Sequence, residues 1–240
     1  MNTNNLSIAT ITWARTPGEE NLLRQALEQL SAFNIPVFVT DGGSNSSFIY
    51  FVKSLPNFTL VTAEGKGLWP QVQSSLQAAY HSGSTFILYT EPDKKNFFDQ
   101  SLAGFIKDAA ENDKTGIVLA GRSANAFETF PLFQRTSEAT INFCCSEITG
   151  HPLDYTYGPF LLNRKLVPYL LQVKNDIGWG WRPYSFCIAH HLGYQLNELT
   201  GNFECPDDQR TDDAMERIYR MKQLSQSIDG IVVATDSLLQ

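Results

Sequence analysis

Between Ser7 and Ala120 short apolar runs alternate with longer amphipathic stretches, and this constrains the chain more than any other feature, because it is the pattern of a parallel sheet covered by helices. Ser7 to Ala14 (SIATITWA), Pro36 to Thr40, Phe58 to Thr62, Thr85 to Thr90 and Gly116 to Ala120 read as strands, rich in β-branched and aromatic residues. Glu19 to Phe33 sets Leu22, Leu23, Ala26, Leu27, Leu30 and Phe33 on one helical stripe, with Pro17 and two glutamates suited to its N-terminal end. Ser46 to Leu55, Leu68 to His81 and Phe98 to Ala110 supply further helices. The expected fold is α/β, a doubly wound, mostly parallel sheet with helices on both faces.

Past Gly121 the alternation stops and an aromatic stretch follows, with Phe127, Phe130, Phe133, Phe143, Tyr155, Tyr157, Phe160, Trp179, Trp181 and Tyr184. No linker precedes it, so 126–240 reads as continuous with 1–125 in a single domain, ending in a helix from Asp212 to about Ile228. A chain of 240 residues, 42% hydrophobic and 18% charged, is long enough for one large core. Its net charge of -7 opposes sequence-independent nucleic-acid binding, which needs basic surface. No apolar stretch approaches the ~20 residues of a transmembrane helix. The stretch Met1 to Ser7 lacks the basic and apolar regions of a signal peptide, so the expected location is cytoplasmic. Cys144, Cys145, Cys187 and Cys205 form no C-x-x-C and read as reduced thiols. Cys187 and His191 would share a helix face, for zinc or, more ordinarily, for packing.

Ligands of open parallel sheets bind outside the carboxyl ends of the strands, and those ends here are chemically biased. The first strand ends in Ala14-Arg15-Thr16, the second in Asp41-Gly42-Gly43-Ser44, the third near Glu64-Gly65-Lys66-Gly67 and the fourth in Glu91-Pro92-Asp93-Lys94-Lys95. None carries G-x-G-x-x-G or G-x-x-x-x-G-K-[ST], which sets aside dinucleotide dehydrogenases and P-loop enzymes. Glu91 and Asp93, at i, i+2 of an extended chain, would point the same way and suit Mg²⁺ or Mn²⁺, whose remaining shell phosphates and water complete; the plain alternative is an acidic turn. Asp41 would accept hydrogen bonds from a base or ribose, or else close an Asx turn. Lys66 between Gly65 and Gly67 would meet a phosphate, or is a solvated loop lysine.

The ordered set T-x-x-R-T-P-G-E-E-N-L-L, V-T-D-G-G-S, E-G-K-G-L and L-Y-T-E-P-D resembles the family 2 glycosyltransferases of the GT-A type, whose nucleotide-diphospho-sugar domain has P-x-Y-N-E-E, V-D-D-G-S, G-K-G and D-x-D in the same order. Gly116 to Ser123 continues the likeness, and Asp154 to Arg164, Gly178 to Trp181 and Arg217 to Arg220 follow it more loosely. The resemblance implies a GT-A fold in which 1–125 binds a UDP- or GDP-linked sugar and 126–240 binds the acceptor, which would be a sugar, a lipid phosphate or a small acidic molecule. It places Ala14, Arg15 and Asp41 with Gly42 at the base and ribose, Lys66 with its flanking glycines near the nucleotide, and Glu91 and Asp93 on the metal.

The sequence departs from the family pattern at three points. Glu91 replaces the first aspartate of D-x-D, reaching one methylene further. Lys94 and Lys95 follow it, cations that would repel a metal or partly replace it. Where inverting relatives carry the acid that deprotonates the acceptor, Gly178-Trp179-Gly180-Trp181-Arg182 has Arg182, leaving Asp154 and Asp176 as substitutes. An acceptor that is already ionised, held by Arg182 or Arg210, needs no such base. Trp179, Trp181, Tyr155 and Tyr157 would stack on an acceptor or fill the core. The rival readings are a sugar-nucleotide binding protein without turnover and a nucleotidyltransferase.

Overall fold

The computed structural model describes residue 1, residues 3–109 and residues 112–236. Ala110, at the end of an expected helix, and residues 237–240 lie outside these. In chain order the elements are β1 (Leu6–Thr12), α1 (Pro17–Ser31), β2 (Val37–Asp41), α2 (Ser46–Ser54), β3 (Phe58–Val61), α3 (Leu68–His81), β4 (Phe86–Tyr89), α4 (Lys95–Gln100), α5 (Leu102–Asp108), β5 (Thr115–Arg122), α6 (Ala124–Phe127), α7 (Leu132–Thr149), β6 (Phe160–Asn163), α8 (Val167–Leu170), α9 (Trp181–His191), β7 (Gln195–Gly201) and α10 (Ala214–Asp236). They form two compact units, Met1–Ala110 with Pro159–Asp176, and Glu111–Gly158 with Ile177–Gln240. Compactness therefore does not divide the chain in sequence order.

In the first unit the strand order is β3-β2-β1-β4-β6. β1 pairs in parallel with β2 (Ile8 opposite Val37) and with β4 (Leu6 opposite Phe86), and β2 pairs in parallel with β3. Only β6 runs antiparallel here, Leu161 facing Leu88. Leu6 to Thr10 and all of β4 are buried without alternation, as strands covered on both faces must be. Right-handed crossovers explain the cover. α1 and α2 carry the chain from β1 outward to β3, while α3 returns it across β2 and β1 to β4, so α3 takes the opposite face.

The helix starts follow local chemistry. Thr16, extended at φ -130° and ψ 159°, accepts from the Glu19 amide at 3.2 Å and Pro17 opens α1. Asn45 caps α2 through the Phe48 amide at 2.9 Å. The helix expected over 98–110 is instead α4 and α5, broken at Ser101 (φ -129°, ψ -27°). The break lets Phe97 and Phe98 enter the core beside Leu102 and Phe105, and the Phe97 and Phe105 rings meet edge-on at 5.6 Å.

In the second unit β5 and β7 are parallel, Ile117 opposite Leu196 through Arg122 opposite Gly201, with a bulge between Thr115 and Ile117. α7, α9 and α10 pack on one another. α7 is unusual in its buried stripe, which contains Gln134, Ser137, Glu138 and Thr149 beside Ile141 and Cys145. α10 crosses the turn 178–180 closely. A Cβ on Gly230 would overlap the Gly180 carbonyl, and Trp179 N donates to Gln226 Oε1 at 3.1 Å. The G-W-G-W segment is thus a packing motif for α10, which runs well beyond the expected end near Ile228 because Gly230, Ile231 and Ala234 are buried on it. The cysteines are free thiols, and burial pushes the Cys187 thiol up to about 12.

Candidate functional site

The strand order of the first unit reverses at β1, whose neighbours β2 and β4 are reached by crossovers in opposite directions. That switch point opens a crevice outside the carboxyl ends of β1 and β4, where the residues from Trp13 to Thr16 and from Thr90 to Asp93 stand. The adjoining loops after β2 and β3 carry Asp41 to Ser44 and Glu64 to Gly67.

Hydrogen bonds tie these loops together. Asp41 Oδ1 accepts from the amides of Gly43 (2.9 Å) and Ser44 (2.6 Å), and Oδ2 accepts from Thr12 Oγ1 (2.9 Å) and Ser44 Oγ (2.6 Å). These four donors match the roughly four lone-pair sites of a carboxylate. Asp41 closes an Asx turn and fixes the loop, and its oxygens are engaged inward rather than held open for a base. Ala14 joins the network through its amide, which donates to Ser44 Oγ at 2.7 Å, and Gly42 N donates to Thr12 O at 2.7 Å. Arg15 is turned back onto α1, its Nη2 donating to Glu19 Oε1 at 2.7 Å. Gln71 links the next loop, accepting from Thr40 Oγ1 at its carbonyl (3.0 Å) and donating Nε2 to Gly67 O (2.9 Å). Lys66 is exposed, and its ammonium has no partner among the described residues.

Trp13, at the tail of the strand expected over Ser7 to Ala14, lies just past β1 with 55% of its surface exposed. Its Cβ and Cγ rest on Gly42, where any side chain would crowd them, and the Arg15 guanidinium stands 5.5 Å from its ring. A signal was present in the sequence: an indole immediately after the carboxyl end of the central strand.

Glu91-Pro92-Asp93-Lys94 is a turn rather than an extended strand end, with Lys94 N donating to Glu91 O at 3.4 Å. The expected alternation of side chains therefore does not apply, since Pro92 and Asp93 occupy its corner. Thr90 holds the turn to the sheet, accepting at its carbonyl from Thr10 Oγ1 at 2.7 Å. Lys94 Nζ lies 3.7 Å from Asp93 Oδ2, and Lys95 Nζ donates to Gln25 Oε1 of α1 at 2.6 Å.

The three residues named for catalysis each have a structural task. Asp176, in the first unit, accepts from Trp69 N at 3.3 Å and supplies the cap that Gly67, the N-cap residue of α3, lacks. Asp154, in the second unit, forms a two-pronged pair with Arg122, Nε to Oδ2 at 2.7 Å and Nη2 to Oδ1 at 2.9 Å. Burial alone would raise its carboxyl, but the hydrogen bonds and charge of Arg122 prevail and lower it to about 2, too acidic for a general base. Arg182 donates Nη2 to the carbonyls of Tyr155 (3.3 Å) and Gly158 (3.0 Å), and Arg210 donates to Cys205 O. Of the four aromatic residues considered for stacking, Trp181, Tyr155 and Tyr157 are buried. Trp179 is partly exposed, and its Nε1 donates to Tyr219 OH at 3.1 Å.

Arg122 went unnoticed in the sequence. It is buried to 1% side-chain exposure, pairs with Glu138 at 2.7 Å as well as with Asp154, and stacks under Phe127 and Phe130. Burial would lower its pKa, but the two carboxylates hold it above the usual guanidinium range. Among the described residues no three or more His, Cys, Asp or Glu side chains converge as a metal cluster, and no helix is long and apolar enough to cross a membrane.

No protein-family model matches the sequence, and no curated protein matches it significantly. Solved structures do match. Glucosyl-3-phosphoglycerate synthase from Mycobacterium tuberculosis with UDP superposes with a TM-score of 0.64 at 15% identity, over 95% of this chain and 79% of that one. The same enzyme with Mn²⁺, UDP and phosphoglyceric acid gives 0.62 at 14%, over 95% and 78%. Mannosyl-3-phosphoglycerate synthase from Rubrobacter xylanophilus gives 0.63 at 13%, over 98% and 73%. The likeness is one of fold: the chain has the α/β, mostly parallel GT-A fold.

Proposed function

We propose that the protein is a glycosyltransferase that moves a sugar from a UDP- or GDP-linked donor to a small acidic or phosphorylated acceptor. The observation that carries this reading is the placement of Glu91-Pro92-Asp93 at the carboxyl end of β4, across the switch point from the loop after β1, in a GT-A fold. The base would stack on Trp13, with the loop after β2 held in shape by Asp41, and Lys66 would meet the diphosphate.

The donor set fits a divalent ion in part. Two carboxylates are the hard oxygen ligands that Mg²⁺ or Mn²⁺ accepts, and among the described residues no third His, Cys, Asp or Glu joins them, which leaves the rest of the shell to diphosphate and water. Bound there, such an ion would act as a Lewis acid for the departing diphosphate. Glu91 and Asp93 would hold it, while Lys66 would stabilise charge on the leaving group.

The commitments of Asp154 and Asp176 support an acceptor that needs no deprotonation. A phosphate or carboxylate has this property, and the M. tuberculosis enzyme of the same fold is described with phosphoglyceric acid. The same commitments favour one second reading, a sugar-nucleotide binding protein without turnover. Calorimetry with UDP and GDP in Mn²⁺, followed by measurement of nucleotide release from UDP-glucose and GDP-mannose with and without 3-phosphoglycerate, tests both. Release that depends on the acceptor supports the transferase, binding without release supports the second reading, and no binding of either nucleotide rejects both.

A further inference from the structure

We propose that Lys94 is a tethered counter-cation for the acid pair, so that the free protein disfavours a divalent ion at Glu91 and Asp93 and takes one up only together with a nucleotide diphosphate. The inference rests on the reading of Glu91 and Asp93 as metal carboxylates. Lys94 Nζ stands 3.7 Å from Asp93 Oδ2, and the lysine side chain is 18% exposed against 40% for the aspartate. The lysine side chain is therefore the more enclosed of the two. Its backbone is fixed as well, because Lys94 N closes the turn on Glu91 O and Phe98 N donates to Lys94 O at 3.0 Å as α4 begins. Lys95 differs, since its ammonium is held 2.6 Å from Gln25 Oε1 on α1.

A divalent ion on Asp93 would bring two positive charges next to this ammonium, and charges a few ångströms apart at a half-buried site repel strongly. The lysine must then swing away from a carboxylate that already neutralises it, or the ion binds weakly. A diphosphate reverses the balance, since its negative oxygens accept both the ion and the displaced ammonium. Binding of ion and nucleotide becomes mutually dependent, a coupling that is reciprocal by linkage.

Free Mn²⁺ measured by electron paramagnetic resonance tests this in the full chain, for the parent and for Lys94→Gln, Lys94→Arg and Lys95→Gln, each with and without UDP. Without UDP, Lys94→Gln should bind Mn²⁺ about tenfold more tightly than the parent. Lys94→Arg should stay at the parent value, and so should Lys95→Gln, which removes the same charge one residue away. With UDP present the gap between Lys94→Gln and the parent should shrink to less than about threefold. Equal Mn²⁺ affinity of Lys94→Gln and the parent without UDP would overturn the inference. So would an equal gain in Lys95→Gln, which would make net charge the cause, or tight Mn²⁺ binding by the parent alone. If no variant retains Mn²⁺ even with UDP, the metal reading of Glu91 and Asp93 has failed, and UDP calorimetry on the same samples shows whether the nucleotide reading survives.

Discussion

Asp41 in the first unit and Asp154 in the second are both aspartates whose two oxygens are fully engaged, but they are engaged by different partners. Asp41 gathers neutral donors from Thr12, Gly43 and Ser44 at the edge of the sheet. Asp154 meets the guanidinium of Arg122 inside a cluster that also holds Glu138. A carboxylate bonded to neutral groups at a half-exposed edge orders a loop, which is useful where a ligand must be met. A carboxylate bonded to a buried cation neutralises it, and the pair becomes part of the core. The first unit thus keeps its polar chemistry at the strand ends, while the second turns it inward.

Breaking the inward set should have the largest effect. Arg122→Met takes the guanidinium away from Asp154 and Glu138, with Arg220 Nη1 still 3.8 Å from Glu138, and should destabilise the protein by about 3 to 5 kcal/mol in urea unfolding. A variant as stable as the parent would mean that the cluster is no more structural than Asp41. Acid sharpens the same contrast. The Asp154 carboxyl is lowered from 3.8 to about 2 in the folded protein, so its contribution is present above pH ~4 and is lost as pH falls toward 2, about 2 kcal/mol in all. Arg122→Met should flatten this part of the stability profile.

At the sheet edge the expected effects fall on binding more than on stability. Asp41→Ala removes the acceptor of four hydrogen bonds and should weaken UDP or GDP binding by about 1 to 3 kcal/mol through the disordered loop. Unchanged affinity would detach that loop from the site. Trp13→Ala should change unfolding stability by less than about 0.5 kcal/mol, as exposed positions do, while nucleotide affinity drops roughly tenfold. A stability loss without an affinity loss would make Trp13 a packing residue of the loop after β2.

The first unit was legible because local and global signals agree there. Each strand from β1 to β4 is a short run rich in apolar and β-branched residues, each long helix has an apolar stripe, and Pro17 marks the start of α1. The resemblance to the GT-A transferases rested on the loops between these same elements, and the fold it implied is the one the chain has. α7 was not legible, because its inward stripe is made of Gln134, Ser137 and Glu138, which face a buried ion cluster instead of an apolar core. β7 (QLNELTG) buries little besides Leu196 and offers no apolar run.

Sequence by itself determined the α/β class, the order of the strands' carboxyl-end loops and the residue types gathered in them, since period and capping are local properties of the chain. Tertiary structure decided what those residues face. Asp176 became the cap of a helix that lacks its own, Arg122 and Asp154 became each other's counter-ions, and Lys94 turned onto Asp93 while Lys95 turned to Gln25. Partners such as Trp69 with Asp176, 107 residues apart, are brought together by topology, and a charged side chain takes its role from the group that neutralises it.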